Sequence, residues 1–168
     1  MQNQKKLIVL RGNSGSGKST IAKKFRDLYP DLKIALIEQD YIRRNILREK
    51  GGLEGAHINL IKENVEYCLE NDFHVILEGI FHLKLYKDLL NYLNQKFPNN
   101  IFFYFDISLD ETLRRSKTKN DFHEYGEEKV RSWYIEKDYT NFANEYTINE
   151  DLTEEKIIEF MKAKINLI

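Results

Sequence analysis

Three glycines, a lysine and a hydroxyl stand at fixed spacing in Gly12-Asn13-Ser14-Gly15-Ser16-Gly17-Lys18-Ser19, which fits the pattern GxxxxGK[ST] without a mismatch. A polyphosphate carries several charges and needs donors that are fixed before it arrives. Glycines at 12, 15 and 17 let the backbone curl into a nest whose N–H groups point inward, at the positive end of a helix dipole. Lys18 adds a mobile point charge for the β and γ phosphates, and the Ser19 hydroxyl is placed to ligate the magnesium that bridges them. The run from Gly12 through Thr20 is therefore predicted to cradle ATP or GTP. A bare glycine-rich turn is the alternative, and the flanks argue against it. Leu7-Ile8-Val9-Leu10 reads as a buried strand before the loop, and Ser19 to Tyr29 as a helix after it, with Ile21, Ala22, Phe25 and Leu28 apolar.

The other residues able to do chemistry follow later apolar runs, where ligands collect in sheets of parallel strands. After Lys33–Glu38 comes Gln39-Asp40-Tyr41-Ile42-Arg43-Arg44. Asp40 either caps the next helix or acts as general base, orienting an acceptor hydroxyl in line with the γ phosphate and taking its proton. Arg43, nearly one turn on, is placed for a phosphate or polar group of that acceptor, while Arg44 and Arg48 share a more solvated face. After His74–Leu77 comes Glu78-Gly79-Ile80-Phe81-His82. Glu78 either reaches the magnesium through water or caps the following helix, and Phe81 and His82 are candidates to line the acceptor pocket. After Ile101–Asp106, Ser108 and Glu111 form a capping box for a helix carrying Arg114 and Arg115, with Lys117 and Lys119 behind. Arg115 and Lys119 are candidates for charge that develops during transfer, and Arg131 is a second.

These residues need elements to hold them, and the chain alternates short apolar runs with amphipathic segments throughout. Helices are predicted at Tyr41 to about Lys50, His57 to Asn71, Leu83 to Phe97, Leu109 to Lys117, Glu127 to Tyr139 and from Thr153, with a last strand at Tyr146–Ile148. Polar residues Thr118 to Gly126 form a loop, and Gly51-Gly52 with Gly55 suggest either a flap or helix-ending glycines. With 168 residues, 42% of them hydrophobic, there is material for one core, so a single domain spanning 1–168 is expected. Lys plus Arg number 26 against 27 for Asp plus Glu, which gives no bulk electrostatic drive towards a nucleic-acid backbone. Cys68 is the sole cysteine and falls on a helical face with Ile61, Val65 and Leu69, a small hydrophobe in a core. The first apolar run is too short for a membrane span, so a cytoplasmic location with no membrane partner is expected.

Taken together, the phosphate loop, the DxxR of Asp40 to Arg43, the strand-end acid Glu78 and the arginine-bearing helix before a lid resemble the P-loop kinases of the nucleoside-monophosphate kinase type. Within that group the pattern is similar to the 5′-hydroxyl polynucleotide kinase domain, and to zeta-toxin-like and chloramphenicol phosphotransferase-like kinases. The resemblance implies an α/β, three-layer P-loop NTPase fold, with a five-stranded mainly parallel sheet in order 2-3-1-4-5 and a short helical lid at about 116–131. It also implies Lys18 and Ser19 for phosphates and magnesium, Asp40 as base, Arg43 for the acceptor and Arg115 for the lid. In polynucleotide kinases the lid carries two arginines four residues apart; here the second position is Lys119, a point charge instead of a fork.

The activity expected is transfer of the γ-phosphoryl group to a hydroxyl of a small molecule such as an antibiotic, nucleoside or sugar, by a monomer or homodimer. A polynucleotide acceptor is the alternative, less favoured by the near-neutral charge balance. A regulatory nucleotide switch is a third reading. Thr118-Lys119-Asn120-Asp121 fits [NT]KxD, but no DxxG occurs in the chain to sense a γ phosphate.

Overall fold

The short apolar runs become five strands of one sheet, in order β2-β3-β1-β4-β5. The computed structural model describes residues 5–50, 55–117 and 122–167, and for 122–125 the backbone only. The elements are β1 (Leu7–Gly12), α1 (Lys18–Asp27), β2 (Ile34–Glu38), a turn of π-helix (Tyr41–Ile46), α2 (Ala56–Glu70), β3 (His74–Gly79), α3 (Leu83–Lys96), β4 (Asn100–Asp106), α4 (Leu109–Ser116), α5 (Phe122–Trp133), β5 (Glu145–Asn149) and α6 (Glu154–Ile165). The strand order is the expected one, and every neighbouring pair is parallel.

Alternation along the strands sorts their side chains between two helical layers. Ile8 and Leu10 of β1 join Phe103 and Phe105 of β4 against Ile21 and Phe25 of α1 and Met161 and Ile165 of α6. Leu7 and Val9 join Val75, Leu77 and Phe102 against Ile61 and Val65 of α2 and Leu90 and Leu93 of α3. Because both faces are covered, these strands read as unbroken apolar runs. Burying each such side chain contributes roughly 1.5–3 kcal/mol. Cys68 is half-buried beside the second layer, and burial pushes its thiol up, as suits a packing residue. Among the described residues no helix is long and apolar enough to cross a membrane.

Several boundaries differ from expectation. The helix predicted from Tyr41 to Lys50 is a single wide turn, because Leu47 N–H reaches Ile42 O at 3.0 Å and Glu49 N–H reaches Arg43 O at 2.9 Å, after which Arg48 turns at φ 54°. Gly51 and Gly52 lie outside the described residues, as do Thr118 to Asp121, which hold the [NT]KxD stretch and Lys119. α5 begins at Phe122, inside the predicted loop, and breaks at Gly126 (φ 66°, ψ 177°), so its second piece starts near Glu127 as predicted. It stops at Trp133 and not Tyr139. The Asn13 side chain takes both Ile135 N–H (3.0 Å) and Ile135 C=O (2.8 Å), and Arg11 takes Asp138 (2.8 Å), which pull the chain out of the helix. The Ser108 cap forms, its Oγ accepting Glu111 N–H at 3.3 Å, but the Glu111 carboxylate turns to Arg114 and Arg115 instead of closing the box.

Candidate active site

β1 delivers the loop to the carboxyl edge of the sheet, where Gly12, Gly15 and Gly17 all have positive φ (148°, 79° and 95°). At Gly15 a Cβ would sit 2.8 Å from Ser116 Oγ, so α4 lies directly against the loop. Gly17 is the N-cap of α1 and brings no side-chain cap, which leaves the first-turn N–H groups to a ligand. Lys18 is buried, its Nζ donating to Asn13 O at 2.8 Å and Ser16 Oγ at 3.1 Å. Both are neutral oxygens, weaker partners for an ammonium than a phosphate. Arg115 lays its guanidinium on the same loop, Nη1 donating to Ser16 O at 3.2 Å, while Glu111 holds its Nε at 2.5 Å. Bonds from Arg114 and Arg115 pull the Glu111 carboxyl down to about 2. The cavity around these groups has a volume of about 560 Å³, and Phe105, Leu152 and Ile157 add apolar lining.

Ser19 Oγ donates to Glu78 Oε1 at 3.0 Å. Glu78 is buried at the end of β3, in register with Glu38 of β2. Burial pushes its carboxyl above the usual range; Lys18 and the Ser19 bond pull the other way, and the charges of Glu38 and Asp40 push it further up. A hydroxyl and a crowded carboxylate are hard oxygen donors of the kind that suit a small divalent cation. Among the described residues no three His, Cys, Asp or Glu side chains form a metal cage, so such a cation would draw its other ligands from phosphate and water. The helix-capping alternative for Glu78 is not realised: His82 is the N-cap of α3, and the first N–H of that helix, on Leu83, donates to Asp138 Oδ2 at 2.9 Å.

A second cavity, of about 620 Å³, shares Ser14, Gln39, Asp40 and Ile80 with the first. Asp40 has helical backbone angles and makes no cap bond, so its carboxylate belongs to the wall common to both cavities and not to the helix. Its Oδ1 accepts from Arg43 Nη2 at 3.1 Å and approaches Arg44 Nε at 3.5 Å. Arg43 is largely covered, its side chain 17% exposed. Arg44 is exposed as expected, yet leans on the same oxygen.

The floor of the second cavity is a chain of polar side chains that sequence reasoning missed. Glu49 pairs with His57 Nδ1, His57 Nε2 lies 2.9 Å from Tyr86 Oη, Gln39 Nε2 donates to that oxygen at 2.5 Å, and Gln39 Oε1 accepts Ile80 N–H at 3.2 Å. With Nδ1 donating to Glu49, Nε2 is left to accept the Tyr86 O–H, and every bond in the chain then runs in one direction. Gln39 thereby bridges the ends of β2 and β3. At Gly79 a Cβ would lie 2.7 Å from Gln39 Cβ, so only glycine permits this approach. One signal was available: His57, Ile61 and Val65 share a helical stripe, which marks His57 as buried.

Other expected site residues are placed elsewhere. Phe81 does not line the acceptor cavity; it is fully buried in the second core layer, edge-on to Tyr86. Arg131 pairs with Glu127 on the exposed face of α5 and lines neither cavity. His82 does line the second cavity, its Nε2 3.2 Å from Asn13 Oδ1, and burial lowers its pKa. The side chain of Asn13, expected at the phosphates, instead holds Ile135 and His82, while its carbonyl receives Lys18. Trp133, in the last turn of α5, is 41% exposed and lines the second cavity with Ile135. Arg11 was not anticipated: fully buried beside the loop, it binds Asp138 at 2.8 Å, Glu145 at 3.0 Å and Phe81 O at 3.2 Å. A buried guanidinium needs such paired carboxylates, and together they fix the segment after α5 against the strand ends.

No protein-family model and no curated protein sequence matches the chain. Solved structures do. The crystal structure of APE1195 superposes with a TM-score of 0.74 at 18% identity, covering 99% of this chain and 97% of that one. The Mycobacterium tuberculosis APS kinase CysC, in complex with AMPPNP and APS, gives 0.75 at 15% identity, covering 97% and 98%. A gluconokinase from Sinorhizobium meliloti 1021 gives 0.64 at 16% identity, covering 97% and 93%. At these identities the likeness establishes the fold, an α/β fold with a five-stranded parallel sheet that this chain shares with those kinases.

Proposed function

We propose that this protein transfers the γ-phosphoryl group of ATP to a hydroxyl of a small-molecule acceptor. The observation that carries the reading is Asp40, which stands in the wall shared by the cavity at the Gly12–Ser19 loop and a second cavity of small-molecule size. The APS kinase and the gluconokinase of like fold are named for small-molecule acceptors, which agrees with it.

In this reading Lys18 leaves its loop oxygens for the β and γ phosphates, and the first-turn N–H groups of α1 hold the oxygens that stay behind. Arg115 neutralises charge on the transferring group. Asp40 aligns the acceptor hydroxyl and takes its proton as the new P–O bond forms and the bond to the β-phosphate oxygen breaks, releasing ADP. Ser19 directly, and Glu78 through water, are the residues that would hold magnesium, which when bound shields the phosphate charge. The segment at 116–131 would serve as a lid.

A polynucleotide 5′-hydroxyl acceptor is the second reading, favoured by Trp133 beside Arg43 and Arg44 in one cavity. The test is a screen with γ-labelled ATP and GTP against nucleosides, sugars, aminoglycosides, chloramphenicol and 5′-hydroxyl oligonucleotides. Label is expected in a small molecule. Label in oligonucleotide alone would install the second reading, and label released only to water would leave a nucleotide-binding switch.

A further inference from the structure

Helix α4 lies directly against the phosphate loop and already holds one of its carbonyls, because Arg115 Nη1 donates to Ser16 O at 3.2 Å. One residue on, Ser116 is fully buried, and a Cβ at Gly15 would lie 2.8 Å from its Oγ. That hydroxyl has no hydrogen-bond partner among the described residues. A serine inside a helix commonly returns its O–H to the carbonyl four residues back, here that of Thr112, and Ser116 does not. An unpaired buried hydroxyl is costly, so one that stands beside a binding loop points to a partner that arrives with the ligand. The Thr112 hydroxyl is also buried and unpaired, but Thr112 turns its methyl carbon to Gly15, 3.7 Å from the same point. The loop can supply the partner. Ser16 N–H donates to Asn13 O over a long 3.3 Å, and Lys18 Nζ donates to the same oxygen at 2.8 Å. A triphosphate competes for both donors. In a trans peptide the N–H and the C=O point opposite ways. Turning Ser16 N–H to a phosphate therefore swings the Gly15 carbonyl to the other side, and a glycine at φ 79° has no side chain to oppose the turn.

We infer that Ser116 is a positioning residue for the phosphate loop: when Ser16 N–H turns to a phosphate, the Gly15 carbonyl turns to Ser116 and accepts its O–H. With Arg115 on the next carbonyl, α4 then braces two consecutive peptides of the loop in the geometry that holds nucleotide. This rests on the reading of the Gly12–Ser19 loop as a triphosphate site and needs nothing of the acceptor.

The test sets thermal unfolding of the nucleotide-free chain beside its affinity for AMPPNP with magnesium, measured by calorimetry, in the unaltered full-length chain and in Ser116→Ala and Thr112→Val. Ser116→Ala removes a hydroxyl that gains its partner only with nucleotide. The nucleotide-free Tm should therefore stay level or rise, while AMPPNP affinity falls about two- to tenfold, the worth of one hydrogen bond. A merely structural serine would give the reverse pair, a lower Tm with unchanged affinity. Thr112→Val removes the neighbouring unpaired hydroxyl, keeps its shape, and should leave the affinity unchanged. Native affinity in Ser116→Ala would overturn the inference and leave the triphosphate reading of the loop standing. So would a nucleotide-free Tm lowered by more than about 2–4 °C, the mark of a bond already made, or an equal loss of affinity in Thr112→Val, which would assign the effect to the packing of α4. Absence of AMPPNP binding by the unaltered chain would overturn the triphosphate reading itself, and this inference with it.

Discussion

Replacing Asp40 by Asn separates proton acceptance from everything else that residue does. The two side chains have nearly the same shape, and the amide oxygen can still accept from Arg43 at the present 3.1 Å. The Asp40 side chain is 47% exposed, so losing its charge beside Arg43 and Arg44 should cost folding no more than about 0–1 kcal/mol. That corresponds to a fall in Tm of no more than about 2–4 °C for a chain of this size. An amide takes no proton from an alcohol, so phosphoryl transfer should drop by ~10² to 10⁴, the span of general-base catalysis. At 1.36 kcal/mol per decade this is roughly 2.7–5.4 kcal/mol of transition-state stabilisation, several times the stability effect. The assay is single-turnover quench with γ-labelled ATP at saturating acceptor, with nucleotide affinity measured separately by calorimetry. Transfer at the native rate would retire Asp40 as base. A loss of nucleotide affinity in step with transfer would instead make Asp40 a support of the loop.

Other substitutions address the parts around it. Lys18→Ala removes the ammonium that Asn13 and Ser16 hold over the loop and should abolish detectable nucleotide turnover in a phosphate-release assay; turnover at the native level would take the loop out of the mechanism. Tyr86→Phe strands the buried Gln39 amide and His57 Nε2 together, which should cost about 1–3 kcal/mol, read by thermal unfolding, and raise acceptor KM while nucleotide affinity holds; an unchanged Tm would mean the polar chain does not form. Burial holds the Glu78 carboxyl above its ordinary 4.5, so its protonated form favours the fold, and that contribution is lost as pH rises through the raised value. Magnesium needs the deprotonated form, so the gain in Tm from magnesium with ATP should grow across the same window and shrink in Glu78→Gln. A gain that is flat with pH would show that Glu78 does not serve the metal.

The loop from Gly12 to Ser19 and its flanking strand and helix were legible because their signals are local in sequence. Gly12 to Ser19 is one continuous stretch, and the apolar runs on either side fix its context, so strand, loop and helix follow from residues at known spacing. The sheet was legible for the same reason: strands buried on both faces are unbroken apolar runs, and in a chain that alternates them with helices the parallel order follows. What escaped was set by contacts across the chain. α5 ends at Trp133 because Asn13, 122 positions away, captures Ile135, and no periodicity within α5 contains that fact. Phe81 looked like pocket lining because it follows a strand end, but its neighbours Ile80 and His82 took the cavity and turned it into the core.

The same division decides how far the acceptor can be read. Gln39, Glu49, His57 and Tyr86 come from a strand end, a loop, the start of α2 and the first turn of α3, and they meet only because the sheet and helices bring them together. Their mutual bonds explain why Gln39, His57 and Tyr86 are buried at all, since each would otherwise be a stranded donor or acceptor. They also rigidify the ground from which Asp40 and Ile80 project, because Gln39 is bonded at one end to Tyr86 and at the other to the Ile80 N–H. In the proposed reaction such a floor would keep Asp40 fixed beside Arg43, Arg44 and Trp133, which line the same cavity.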